Sequence, residues 1–142
     1  MTLKKLPIGI QTFEQVRQEN RIYIDKTKMI LQLTEDKAYF LSRPRRFGKS
    51  MLISTLQALY EGRKELFEGL YIYDKWDWDK TYPVIRIDFA GGVIDSVERF
   101  QQKMITSFEA TQHRLNLDCE LFLSQGDPAG CFERLIHKAR EH

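Results

Sequence analysis

Four cations and two hydroxyls fall within the nine residues Ser42-Arg43-Pro44-Arg45-Arg46-Phe47-Gly48-Lys49-Ser50. The spacing of the last three suits one task above others, which is holding an anion with several oxygens. A helix that starts at Lys49 presents unpaired backbone N–H groups and a partial positive charge at its first turn. Gly48 lets the backbone approach a phosphate oxygen with no Cβ in the way. Lys49 would set its ammonium against the β- and γ-phosphates, and Ser50 would offer its hydroxyl to Mg²⁺. The candidate phosphate-binding residues are therefore Arg46, Phe47, Gly48, Lys49, Ser50 and Met51, with Ser50 also the candidate metal ligand.

Such chemistry needs a rigid strand in front of the loop and a helix behind it. Ala38-Tyr39-Phe40-Leu41 is a near-continuous apolar run of the kind that forms a strand buried on both faces. The stretch from Lys49 to Glu61 reads as a helix, with Leu52, Leu56, Leu59 and Tyr60 as its buried stripe and Gly62 as its stop. The pattern departs from a standard phosphate-binding P-loop at its front, where Arg43 stands in the place of a glycine. Arg43 enters glycine-only backbone space at a cost, and Pro44 stiffens the turn. By spacing alone, an ordinary strand-to-helix turn with exposed cations remains open.

The other elements follow from periodicity. Thr12 to Glu19 reads as a short helix capped by Thr12, and Lys26 to Leu33 as a second, with a brief extended piece over Arg21 to Asp25 between them. Lys64 to Phe67 adds a helical turn. Pro83 to Phe89 is the second strong strand, ended by Gly91-Gly92. Asp95 with Glu98 three residues on predicts a capping box that opens a long helix whose apolar face is Val97, Phe100, Met104, Ile105 and Phe108. Asp127 and Pro128 predict the start of a last helix running to Arg140, with Phe132, Leu135 and Ile136 on its apolar side. Strands alternating with helices imply an α/β domain with a parallel sheet and flanking helices. With two strands that sheet looks incomplete. The expected organisation is one domain over residues 1–142, with a helical lead-in to residue 36 and the α/β portion from 37 onward.

Bulk composition narrows the class. With 142 residues, 42% hydrophobic, 12% aromatic and 30% charged, the chain resembles an ordinary globular domain. A net charge of +2 provides no global field toward nucleic acid or anionic lipid. No apolar stretch reaches the roughly 20 residues of a membrane helix. The first residues do not form a signal peptide, since Pro7 and Gly9 interrupt them, so a cytoplasmic location is expected. In that reducing setting Cys119 and Cys131 are most simply free thiols. Asp74, Asp77 and Asp79 around Trp76 and Trp78 read as a solvated loop, and His113, His137 and His142 as surface residues.

Beyond these features, the segments Leu6-Pro7-Ile8-Gly9-Ile10 with Phe13, Tyr23-Ile24-Asp25-Lys26-Thr27, Phe40 to Ser50 and Pro83 to Phe89 together resemble the bacterial AAA-ATPase-like family of P-loop proteins. The resemblance runs through essentially the whole chain, and an arginine at the position of Arg43 is the family's habit. It implies an ATP-binding domain using ATP and Mg²⁺, here the N-terminal part of the ATPase. It also implies a later strand with an Ile-Asp-Glu-Tyr-Asp motif and a nuclease-like domain, through which the full-length protein could meet nucleic acid. Hydrolysis is expected to need that later acidic strand, because a carboxylate must hold Mg²⁺. Asp88, at the end of an apolar strand, is either such a carboxylate or a structural sheet-end residue. Asp25 resembles a position near the nucleotide, or else caps the helix that follows. Arg45 and Arg46 could contact phosphates, stabilise charge or face solvent. Two alternatives remain: a basic-loop nucleic-acid-binding module, and an inactive structural fragment.

Overall fold

A computed structural model describes residues 3–35, 37–89, 92–116 and 125–141. The chain forms two compact units, Met1–Thr81 and Tyr82–His142.

The first unit is built from three α-helices and one short 3-10 helix. Helix α1 (Phe13–Gln18) begins after Thr12, whose backbone is extended but whose side chain makes no capping bond. It stops where Asn20 turns left-handed at φ 50° and the Arg21 N–H reaches back to the Val16 carbonyl at 2.9 Å, the closing bond of a Schellman turn. Helix α2 spans Thr27–Leu33 and helix α3 spans Lys49–Tyr60. The stop expected at Gly62 is found: its φ is +72°, and the Arg63 N–H bonds the Ala58 carbonyl at 2.9 Å. Lys64–Phe67 is the 3-10 helix.

The core gathers Phe13, Ile30, Leu59, Phe67 and Ile72, all buried. Phe13 is its hub, with ring centroids 5.1 Å from Tyr23 and 4.8 Å from Phe67. Phe67 in turn meets Trp78 at 5.2 Å. Separations of this size add about 0.5–1.5 kcal/mol per pair beyond burial. The stretch read as a solvated acidic loop therefore carries core residues too: Trp76 and Trp78 pack against this cluster, while Asp77 pairs with Lys80 at 2.8 Å.

In the second unit, helix α4 (Val97–Leu115) packs against helix α5 (Pro128–Ala139). Asp127 caps α5 as expected, accepting from the Gly130 N–H at 3.0 Å. The start of α4 differs from expectation by one residue. Ser96 is the N-cap and accepts from the Arg99 N–H at 3.2 Å, whereas Asp95 pairs with the Arg99 guanidinium at 3.0 Å. A hydroxyl next to a carboxylate offered two registers, and the serine took the cap. Phe108, Cys131 and Leu135 form the buried centre, with Met104, Phe132, Ile85 and Ile87 against it. The outer end of the expected face is open: Val97 is exposed, as is Phe100, which stacks on Phe89 at 5.8 Å.

The expected parallel sheet is absent: among the described residues there is no strand of any kind. A strand exists only through ladder hydrogen bonds to a neighbour, and neither apolar run has such a partner. Residues 38–41 run as irregular chain with Phe40 94% exposed. Residues 83–89 place Ile85 and Ile87, two apart, on the α4–α5 centre. One face of that segment is used, as period-two alternation allows, instead of both. The helices were legible because their bonds are local. The free thiol expected at Cys131 is also corrected, since it is disulfide-bonded; Cys119 and His142 lie outside the described residues. No helix among the described residues is long and apolar enough to cross a membrane.

Candidate functional site

Two left-handed residues shape the arginine-rich loop, Arg46 at φ 66° and Gly48 at φ 77°. Left-handed backbone costs a side-chain-bearing residue roughly 1–2 kcal/mol, so Arg46 holds its conformation against a local penalty. Gly48 is the N-cap of α3 and supplies no side-chain cap. The backbone N–H groups of Lys49, Ser50 and Met51 consequently have no partner among the described residues, and the helical ladder starts with Leu52 N–H to Gly48 at 2.9 Å. Alternating backbone handedness before a helix start turns N–H groups toward a common point, a geometry that binds anions.

The side chains around this point are charged and accessible. The Lys49 ammonium donates to the Arg43 carbonyl at 2.9 Å, closing the loop across its mouth. The Arg43 guanidinium lies back over the loop, 3.4 Å from the Phe47 carbonyl. The guanidinium groups of Arg45 and Arg46 and the Ser50 hydroxyl are exposed and make no hydrogen bond or ion pair among the described residues.

A cavity of about 590 Å³ opens at the start of α3. Five of the six residues singled out from sequence line it, namely Arg46, Gly48, Lys49, Ser50 and Met51. Phe47 does not. It lines a neighbouring, largely apolar cavity of about 370 Å³ with Arg43, Met29, Leu33 and Leu41. The first cavity is also lined by three residues that spacing did not point to, Gly9, Ile10 and Gln11. Their turn is closed by the Ile10 N–H to the Pro7 carbonyl at 3.3 Å, with Gly9 at φ +77° in the third position. A type II turn requires such a residue there, so the Pro7-x-Gly9 signal was present in the sequence.

Asp25 does not reach this cavity lining. One of its carboxylate oxygens accepts from the Thr27 N–H at 2.8 Å and the Thr27 hydroxyl at 2.6 Å, and the other from the Tyr71 N–H at 2.7 Å. The Thr27 hydroxyl oxygen accepts in turn from the Ile72 N–H at 3.2 Å. Burial alone would push this carboxyl up. The bonds from Thr27 and Tyr71 and the Arg17 charge outweigh it, and hold it below its ordinary value of 3.8. Among the described residues that line the 590 Å³ cavity, none is acidic. Asp88 lies in the second unit, 3.7 Å from the Arg86 guanidinium. No group of three or more acidic, histidine or cysteine side chains is placed to hold a metal among the described residues.

A family described as "Predicted AAA-ATPase" matches residues 7–142. A relative in Azotobacter chroococcum mcd 1, described as an uncharacterized protein in the vnfD 5′ region, is 43% identical over 141 residues, 98% of this chain. The chain spans about a quarter of that relative's length, 27%. No solved structure matches. The chain belongs to the AAA-ATPase-like family, whose description suggests nucleotide use.

Proposed function

We propose that this chain binds ATP with Mg²⁺, its triphosphate seated at the start of α3. The observation that carries this reading is the set of three unpaired N–H groups at Lys49, Ser50 and Met51, gathered with the Lys49 and Arg46 cations on one cavity wall. A phosphate oxygen with formal negative charge is a stronger acceptor than a neutral carbonyl. Exchange of Arg43 for phosphate at the Lys49 ammonium is therefore favourable. Charge-assisted bonds contribute about 1.5–3 kcal/mol each, so a few of them supply the roughly 8 kcal/mol of micromolar binding.

The Ser50 hydroxyl fits a magnesium ion, being an exposed, unpaired oxygen beside the same N–H groups. Mg²⁺ typically keeps several waters and takes its remaining ligands from phosphate and few protein oxygens, which one hydroxyl satisfies. The bound ion would neutralise phosphate charge. The chain's own residues orient the triphosphate and screen it, and no carboxylate that could take a proton from water is among the described residues lining the cavity. Binding is the function proposed for these residues, and hydrolysis would need a carboxylate besides them to hold Mg²⁺.

Titration with a fluorescent ATP analogue tests this reading. Wild type should bind in a magnesium-dependent manner, and Lys49→Ala should weaken binding by about 10-fold to 100-fold, one charge-assisted bond and its Coulombic partner. Equal affinity of the two proteins would overturn it.

A further inference from the structure

The cavity at the start of α3 is larger than a triphosphate alone requires. Its volume of about 590 Å³ is roughly 20 times the 30 Å³ share of a water molecule, and it lies in the size range of sites that enclose whole small ligands. Part of its lining carries the cations and the free N–H groups. Another part, the segment Gly9-Ile10-Gln11, is uncharged. An anionic group and a neutral ring thus have different parts of the lining to meet.

From this division we infer that Gln11 reads the nucleobase and sets a preference for adenine over guanine, an inference that rests on the phosphate site proposed above. The Gln11 side chain is exposed and makes no hydrogen bond among the described residues, although it carries two N–H donors and a carbonyl acceptor. Its place relative to the phosphate part of the lining is fixed. Two residues on, the Phe13 N–H donates to the Ser54 hydroxyl at 2.9 Å, and Ser54 stands one helical turn from Ser50 on the same face of α3. Ile10, half-buried in the same segment, gives the ring face an apolar support. A glutamine amide pairs with adenine in two bonds, its oxygen accepting from the N6 amino group and its nitrogen donating to N7. Guanine presents two acceptors, O6 and N7, along that edge, so the glutamine oxygen meets an acceptor and one bond is lost.

The experiment is a competition titration on the full chain, with ATP, GTP and inorganic tripolyphosphate each displacing a fluorescent nucleotide in the presence of Mg²⁺. Wild type should favour ATP over GTP by about 10-fold or more, the worth of one bidentate pair. Gln11→Ala should bring the two nucleotides to similar affinities while leaving tripolyphosphate unchanged. Gln11→Arg should turn the ratio toward GTP, because arginine pairs with O6 and N7. The ratio cancels any general gain from its added charge. An ATP-to-GTP ratio that stays constant across all three proteins, with tripolyphosphate still displacing the probe, would overturn the role of Gln11 and leave the phosphate site standing. Failure of tripolyphosphate and both nucleotides to bind wild type would overturn both.

Discussion

The Lys49 ammonium nitrogen lies 2.9 Å from the carbonyl oxygen of Arg43, six residues earlier in the chain. That contact links the two ends of the loop, and it occupies the cation on which the proposed anion binding depends. Loop closure and ligand capture thus draw on the same three N–H donors of one side chain.

Lys49→Arg separates those two roles. The guanidinium keeps the charge but presents a planar fork in place of a compact ammonium. We expect thermal stability to change by about 0.5 kcal/mol at most, as for an exposed site. ATP affinity should fall about 10-fold, because the fork does not reproduce the ammonium's approach. Calorimetric unfolding and nucleotide titration read the two effects, and equal affinity of both proteins would remove the geometric requirement.

A second prediction concerns acid. Asp25 holds its proton less tightly in the folded chain than its ordinary value of 3.8. Between the folded value and 3.8 the unfolded chain binds more protons, so stability rises with pH across that window. The contribution is full above pH 3.8 and is lost as pH falls through the lower, folded value. Asp25→Asn should flatten this limb of a stability-versus-pH curve measured by chemical denaturation. It should also destabilise the chain at pH 7 by about 1–3 kcal/mol, through weaker acceptance from Thr27 and Tyr71. An unchanged acid limb in the variant would show that Asp25 is not the group responsible.

Gly62 and Gly9 make a paired prediction, since both have positive φ, +72° and +77°. A Cβ at Gly62 would sit 2.6 Å from the Thr81 γ-methyl, whereas one at Gly9 meets nothing within 4 Å. Gly9→Ala should cost about 1–2 kcal/mol, the left-handed penalty alone. Gly62→Ala should cost more, because the exposed Thr81 side chain must also turn aside, a further contribution of about 0.5–1.5 kcal/mol. Matching losses in denaturant midpoints would contradict the contact.

Ser54→Ala removes the acceptor of the Phe13 N–H and leaves a part-buried donor unpaired. The expected loss is about 1–3 kcal/mol. Ser54→Thr retains the hydroxyl and should recover most of it. A Ser54→Ala protein as stable as wild type would mean that water satisfies the donor.

Helix boundaries were legible because their determinants lie within a few residues: Gly62 as a stop, Asp127 with Pro128 as a start, Phe13 and Val16 as one buried face. Five of the six residues expected at the phosphate site line one cavity because they are neighbours around a single turn, where spacing and position nearly coincide. The sheet was misread because Ala38 to Leu41 and Pro83 to Phe89 have strand composition, and composition does not supply the partner a ladder needs. The Gly9-Ile10-Gln11 segment was not assigned to the site for a related reason. It reaches α3 through a hydrogen bond across 41 residues of sequence, from Phe13 to Ser54, and no local pattern encodes such a contact. Trp76 and Trp78 were obscured by the carboxylates that alternate with them.

Helix α1 is held at both ends. Its first N–H is bonded to Ser54, and Arg17 near its other end donates to the Leu66 and Glu68 carbonyls at 2.7 and 2.6 Å. A short rod fastened twice has little freedom to swing, so the segment that leads into it is tethered beside α3. The arginine-rich loop, by contrast, is tied across its mouth by one exposed lysine contact. A phosphate that captured the Lys49 ammonium would therefore untie the loop as it bound, trading one contact for another.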